Sequence, residues 1–313
     1  MKDALTTCSI ALNPSSPQPT ASMVKIERQT MIGYGGTFCI RVPVSYDIGC
    51  CFNPKAVMAF FRKERKKFSC TMKGGKLILQ EGKEKVTTNC IAPEEMVTLD
   101  ALSEPVECSL DKNLLKRCAD AVDPAHSAYV LQGIAFRDGV MEATDAKLLV
   151  SAISGLPDDH PEFILPIDSA KALCRIRGDV VGVSKDVGAV KFLFDNGASL
   201  TSGIISGVFP QTSQFFEGEW EPLGLEKAAE DLLKIDCDRV TFRDGSILYV
   251  VLDTLGQVAA EGELPAGCSP DLNGVISSRF LRHLLTNSSD VRVSQNFFQS
   301  FSDDCRVLAC GMR

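Results

Sequence analysis

The 313-residue chain predicts an α+β fold of three similar domains, each with two helices packed on antiparallel sheets. Three observations carry that expectation. Short alternating segments bounded by Gly, Asn and Asp outnumber the helical ones. The order helix, hairpin, strand, helix, hairpin recurs at roughly 100-residue intervals, too long for a solenoid repeat and right for whole domains. Phe136-Arg-Asp-Gly139 also returns as Phe242-Arg-Asp-Gly245. The domains are expected at 1–104, 105–217 and 218–313, with the first divergent and shortened at its start.

The elements follow in order. Residues 13–20 are a Pro- and Ser-rich loop. Alternation predicts strands at 23–27 and 37–44, with no clear helix before them. A helix is expected over 54–64, with proline in its first turn and Asn53 as its cap. A hairpin follows at 76–79 and 86–90. The second pass has a helix at 110–119, a hairpin at 131–136 and 140–144, a strand at 163–167, a helix from Asp168 (expected to cap it) to 176, and a hairpin at 190–194 and 199–202. The third has a helix at 225–234, a hairpin at 239–242 and 246–251, a helix at 277–285, and strands at 291–294 and 306–309. The lone Trp220 is expected to pack near the junction of the second and third domains.

Hydrophobic residues make up 45% and charged residues 23%, enough for a sizeable core, which excludes a wholly disordered chain. Apolar runs fall far short of the roughly 18 residues a membrane span needs. The start, Met1-Lys2-Asp3-Ala4-Leu5, lacks an apolar signal core, so the protein is not expected to be secreted. The 13 cysteines include no Cys-x-x-Cys, and none of His126, His160 and His283 has a cysteine at zinc-ligand spacing. They read as reduced, small apolar residues in a cytoplasmic protein. Gly33-Tyr-Gly-Gly36 reads as a turn, and Walker and Gly-x-Ser-x-Gly motifs are absent. Asp158-Asp159-His160 is a weak metal candidate and Cys50-Cys51 a weak redox one. No enzyme, metal or cofactor is expected.

Lys plus Arg number 33 against 40 Asp plus Glu, a net charge of −7. That balance argues against a surface that coats nucleic acid all over. Yet the helical segments 54–67, 110–120, 168–177, 224–234 and 277–285 together carry +9. Their cations include Lys55, Arg62, Lys63, Lys112, Lys116, Arg117, Lys171, Arg175, Lys227, Arg279 and Arg282. Helices sharing one surface would concentrate positive potential there and attract phosphates without reading bases.

The stretch 131–150, with Ala143-Thr-Asp-Ala-Lys-Leu-Leu-Val150, resembles the central domain of the bacterial DNA polymerase III beta subunit family, the sliding clamps. Thr201-Ser-Gly-Ile-Ile-Ser-Gly-Val-Phe-Pro210 resembles the strand that ends in that family's Gly-Arg-Phe-Pro-Asp-Tyr signature. Val307-Leu-Ala-Cys-Gly-Met-Arg313 resembles its terminal Val-Val-Met-Pro-Met-Arg. The likeness is good over 105–217, moderate over 218–313 and weak over 1–104. Ala146-Lys147-Leu148 replaces Gly-His-Arg, and Gly311 replaces the terminal proline, as expected of a divergent, phage-encoded member.

The resemblance implies a closed, head-to-tail homodimer ring that encircles double-stranded DNA without sequence preference. It implies that the basic residues above face DNA. It also implies that DNA polymerase and a clamp loader dock through short peptide motifs. Carried over by position, the peptide pocket would use Thr144, Leu149, Pro210, Phe215, Leu308, Cys310 and Met312. The alternative is a clamp-fold scaffold that binds partners without encircling DNA.

Overall fold

Two-residue turns with both φ positive shape the scaffold: Arg28-Gln29 at +50° and +56°, and Asp138-Gly139 at +48° and +73°. Such mirror-image turns match the twist of paired strands and close tight hairpins. The computed structural model describes residues 1–313 except 64, 66, 100–103, 158–159, 226–227, 244–245, 266–273, 295–296 and 313. In chain order the elements are α1 (Lys2–Cys8), β1 (Val24–Glu27), β2 (Thr30–Tyr34), β3 (Phe38–Pro43), β4 (Cys50–Phe52), α2 (Pro54–Phe60), β5 (Ser69–Lys73), β6 (Lys76–Glu81), β7 (Glu84–Ile91) and β8 (Val106–Leu110). There follow α3 (Lys112–Ala121), β9 (Gly133–Arg137), β10 (Val140–Thr144), β11 (Leu148–Ile153), β12 (Phe163–Pro166), α4 (Ile167–Arg175), β13 (Val180–Lys185), β14 (Ala189–Phe194) and β15 (Ser199–Gly203). The last are β16 (Glu221–Pro222), α5 (Ala229–Lys234), β17 (Arg239–Arg243), β18 (Ser246–Leu252), β19 (Val258–Pro265), β20 (Gly274–Ser277), α6 (Ser278–Asn287), β21 (Val291–Ser294), β22 (Phe297–Phe301) and β23 (Cys305–Cys310).

The chain packs as two bodies, residues 1–112 with 155–205 and residues 113–154 with 206–313. The first holds an antiparallel sheet in the order β5-β6-β7-β4-β1-β2-β3-β15-β14-β13-β8. Its fully buried side chains include Leu5, Ile26, Met31, Ile40, Phe52, Leu77, Leu79, Phe192 and Phe194. In the second, strands run β9-β10-β11-β23-β22-β21-β16 in one sheet and β19-β18-β17-β20 in another. Phe242 and Phe298 pack there with ring centroids 5.7 Å apart. Helix α6 lies over β22 and β23. Its Leu284 carbonyl accepts from Ser300 Oγ at 2.9 Å. The same three-strand meander occurs three times, as β1-β2-β3, β9-β10-β11 and β17-β18-β19.

The first pass does open with a helix, contrary to the sequence expectation. Ala4, Leu5 and Cys8 of α1 are buried, and the helix packs on β2 and β3. It comes so close that a Cβ on Gly33 would sit 2.1 Å from the Cys8 carbonyl oxygen. Helix α2 starts as expected, with Asn53 Oδ1 accepting from the Lys55 amide at 3.0 Å, but it ends at Phe60. Asp168 is no cap: α4 begins one residue earlier, at Ile167, and Asp168 lies in its first turn, where a carboxylate suits the helix dipole.

Candidate functional site

Strand register brings four of the seven expected pocket residues together, Thr144, Leu149, Leu308 and Cys310. Thr144 pairs with Leu149, Leu149 with Leu308, and Leu308 with Gln299. Directly paired residues of neighbouring antiparallel strands share a face, so these side chains form one row. Cys310, two residues beyond Leu308, stands on that face opposite Phe297. Leu149 and Leu308 are buried and make the floor. Thr144 and Cys310 are half-buried, whereas Pro210, Phe215 and Met312 are exposed. Met312 pairs with Val275 of β20, donating its amide to the Val275 carbonyl at 2.6 Å.

The turn between β10 and β11 carries the Ala146 departure. Ala146 has φ +69°, a left-handed conformation that favours glycine. Side chains hold it there. Thr144 Oγ1 accepts from the Ala146 amide at 3.0 Å. Asp145 Oδ1 accepts from the amides of Lys147 at 2.9 Å and Leu148 at 2.7 Å. The backbone path that glycine would serve is therefore kept without glycine.

A buried ion pair anchors Pro210 beside the row. Arg137 Nε donates to Glu142 Oε2 at 2.8 Å. Both side chains are under one-tenth exposed. Arg137 also donates to the carbonyls of Phe209 at 3.2 Å and Pro210 at 2.7 Å, and Thr212 Oγ1 donates to Glu142. Removing one member of such a pair costs about 3–5 kcal/mol, because the other charge is left buried. Sequence reading missed this cluster, since nothing in one sequence says that positions about 70 residues apart share a cavity. Phe215 sits elsewhere, at a 960 Å³ cavity with Trp220 and Phe297, rimmed by Glu217, Glu219 and Glu221. The alternation Glu-Gly-Glu-Trp-Glu was the available signal.

The expected basic residues divide into two groups. Lys55, Arg62, Lys63, Lys116, Lys171, Arg175 and Arg279 are exposed, although Arg279 also donates to the Asp120 carbonyl at 3.1 Å and stands 3.8 Å from Asp145. Lys171 and Arg175 stand one turn apart on α4, opposite its buried Ala170 and Leu173. The others are engaged internally. Lys112 donates to the carbonyl of Ile176 at 2.6 Å and to that of Gly178, and burial holds its ammonium below the ordinary lysine range. Arg117 donates to Asn287 Oδ1 at 2.9 Å and the Thr286 carbonyl at 3.0 Å. Arg282 donates to the Ile235 carbonyl at 2.6 Å. The basic run after α2 is partly neutralised too, with Arg65 paired to Glu81 and Glu84 and Lys63 to Glu84. Lys227 lies outside the described residues.

The described cysteines are all free. Burial pushes the Cys51, Cys70 and Cys108 thiols up to about 11, which leaves little thiolate at neutral pH. Asp158 and Asp159 of the weak metal candidate lie outside the described residues. Among the described residues no helix is long and apolar enough to cross a membrane.

No family model matches the chain, and no curated protein does. Solved structures do. The DNA polymerase sliding clamp of Bacillus subtilis superposes with a TM-score of 0.80 at 13% identity, over 100% of this chain and 96% of that one. The Helicobacter pylori beta clamp, bound to a DNA ligase peptide, gives 0.80 at 13% identity, over 100% and 97%. The Pseudomonas aeruginosa sliding clamp, DNA polymerase III subunit beta, bound to griselimycin, gives 0.77 at 16%, over 100% and 97%. The chain has the fold of the bacterial beta clamps along its whole length.

Proposed function

We propose that this protein is a DNA sliding clamp, a processivity factor without catalytic activity of its own. Three domains, at 1–104, 105–217 and 218–313, would meet those of a second copy head to tail in a closed homodimer ring around duplex DNA. What carries this proposal beyond the fold is where the cations stand. In a chain of net charge −7, α2, α3, α4 and α6 each keep at least one exposed Lys or Arg. Phosphate attraction without base contacts suits a ring that must slide. DNA polymerase and a clamp loader would dock short peptides on the row of Thr144, Leu149, Leu308 and Cys310. The peptide-bound H. pylori clamp of the same fold supports that use. Cytoplasmic action, in a bacterium or in a phage-infected host, goes with this reading.

Internal engagement of Lys112, Arg117 and Arg282 favours a second reading, a clamp-fold scaffold that does not encircle DNA. One experiment separates them. The protein is loaded on nicked circular DNA, with a clamp loader where needed, at about 0.15 M salt, where exposed charges are screened beyond roughly 8 Å. The circle is then linearised. Retention on circles with loss from linear ends is the expected result. Equal retention on both forms, with loading demonstrated, would make it a scaffold.

A further inference from the structure

The cavity at Trp220 combines features that the row of Thr144, Leu149 and Leu308 lacks. Its apolar lining is Phe215, Trp220, Phe297 and Val293. Phe215 is 47% exposed, an unusual state for so large an aromatic side chain in a folded body. Trp220 Nε1 is buried and has no hydrogen-bond acceptor. A buried indole N–H normally has one. Glu217, Glu219 and Glu221 are exposed along the rim. Among the described residues none of the three carboxylates has an ion-pair or hydrogen-bond partner; the nearby Arg292 is held by Asp290 at 2.9 Å.

Each feature selects part of a ligand. Aromatic walls take an apolar anchor side chain. Three unpaired carboxylates at alternate positions attract positive charge and repel negative charge, which sets specificity more than raw affinity. Cross-strand pairing of Phe297 with Cys310 joins this cavity to the row already described.

We propose that the Phe215–Trp220–Phe297 cavity binds an extended partner peptide in which an apolar anchor is flanked by lysine or arginine. The proposal rests on the peptide-docking part of the function proposed above and names the peptide's chemistry. Acidic anchor peptides would be excluded by the same three glutamates that hold basic ones.

Trp220 is the only tryptophan, so its emission reports occupancy of this cavity alone. The full chain is titrated with two probes, acetyl-Lys-Lys-Leu-Phe-Lys-Lys-amide and acetyl-Glu-Glu-Leu-Phe-Glu-Glu-amide, at about 0.05 M and 0.5 M salt, where screening lengths differ severalfold. The basic peptide is expected to bind at least about tenfold more tightly at low salt. The preference should disappear in the Glu217→Gln/Glu219→Gln/Glu221→Gln variant, whose exposed substitutions leave the fold intact. Equal binding of both peptides, or a preference that survives in that variant, would overturn the charge selection and leave peptide docking standing. Silence of Trp220 with both would overturn the cavity as a binding site. Retention on circular DNA is untouched by either outcome.

Discussion

Ala146 shows how one residue can depart from a pattern while its chemistry persists. A glycine there would adopt the left-handed turn freely. Alanine pays about 1 kcal/mol for it. Thr144 and Asp145 stabilise the turn by accepting three backbone amides. Ala146→Gly is therefore expected to raise unfolding stability by up to about 1 kcal/mol, less the extra entropy glycine gives the unfolded chain. Denaturant unfolding checks this, and a loss of stability would mean that the Ala146 methyl packs usefully. Identity at such positions is legible in a sequence; the compensation is not. Thr144 and Leu149 could be picked out because they lie on one short segment with a recognisable pattern. Arg137, Glu142 and Thr212 could not, because their association is made by folding alone.

At the level of elements, patterning located five helices and most hairpins, and it failed where local cues conflict. In α1 the apolar positions Ala4, Leu5, Cys8 and Ala11 do follow helical spacing. Thr6 and Thr7 are weak helix formers, which masks it. Packing against β2 and β3 outweighs that propensity. The error at α2 is of another kind. The residue pattern extends the expected helix to 64, whereas α2 ends at Phe60 and Arg65 turns back to donate to the Phe60 carbonyl at 2.9 Å. Helix α4 offers the cleanest test of phosphate attraction, since Lys171 and Arg175 are exposed. In Lys171→Glu/Arg175→Glu, the slope of log K against log salt for duplex DNA is expected to fall by about 2, close to 0.9 per lost phosphate contact. Folding stability should change by no more than about 0.5 kcal/mol per exposed site. An unchanged slope would place DNA away from α4.

The whole molecule has unfinished edges. Strand β5 ends one sheet and β19 ends another. Both are largely exposed along their length. Exposed strands of this kind invite pairing, and natural proteins cover them. A head-to-tail dimer would cover both at once if β5 of one protomer paired with β19 of its partner, and repeating the contact would close the ring. Light scattering is then expected to give the mass of two chains. Proline inside β19 discriminates further. Of two consecutive residues in an edge strand, one turns its N–H outward and the other donates to β18. Made separately at the regularly paired positions 261 and 262, one of Glu261→Pro and Gly262→Pro should halve the mass while keeping the fold, and the other should loosen the hairpin with β18. If neither alters the mass of a dimeric protein, the ring closes through other edges. A monomer from the outset would overturn the closed homodimer ring.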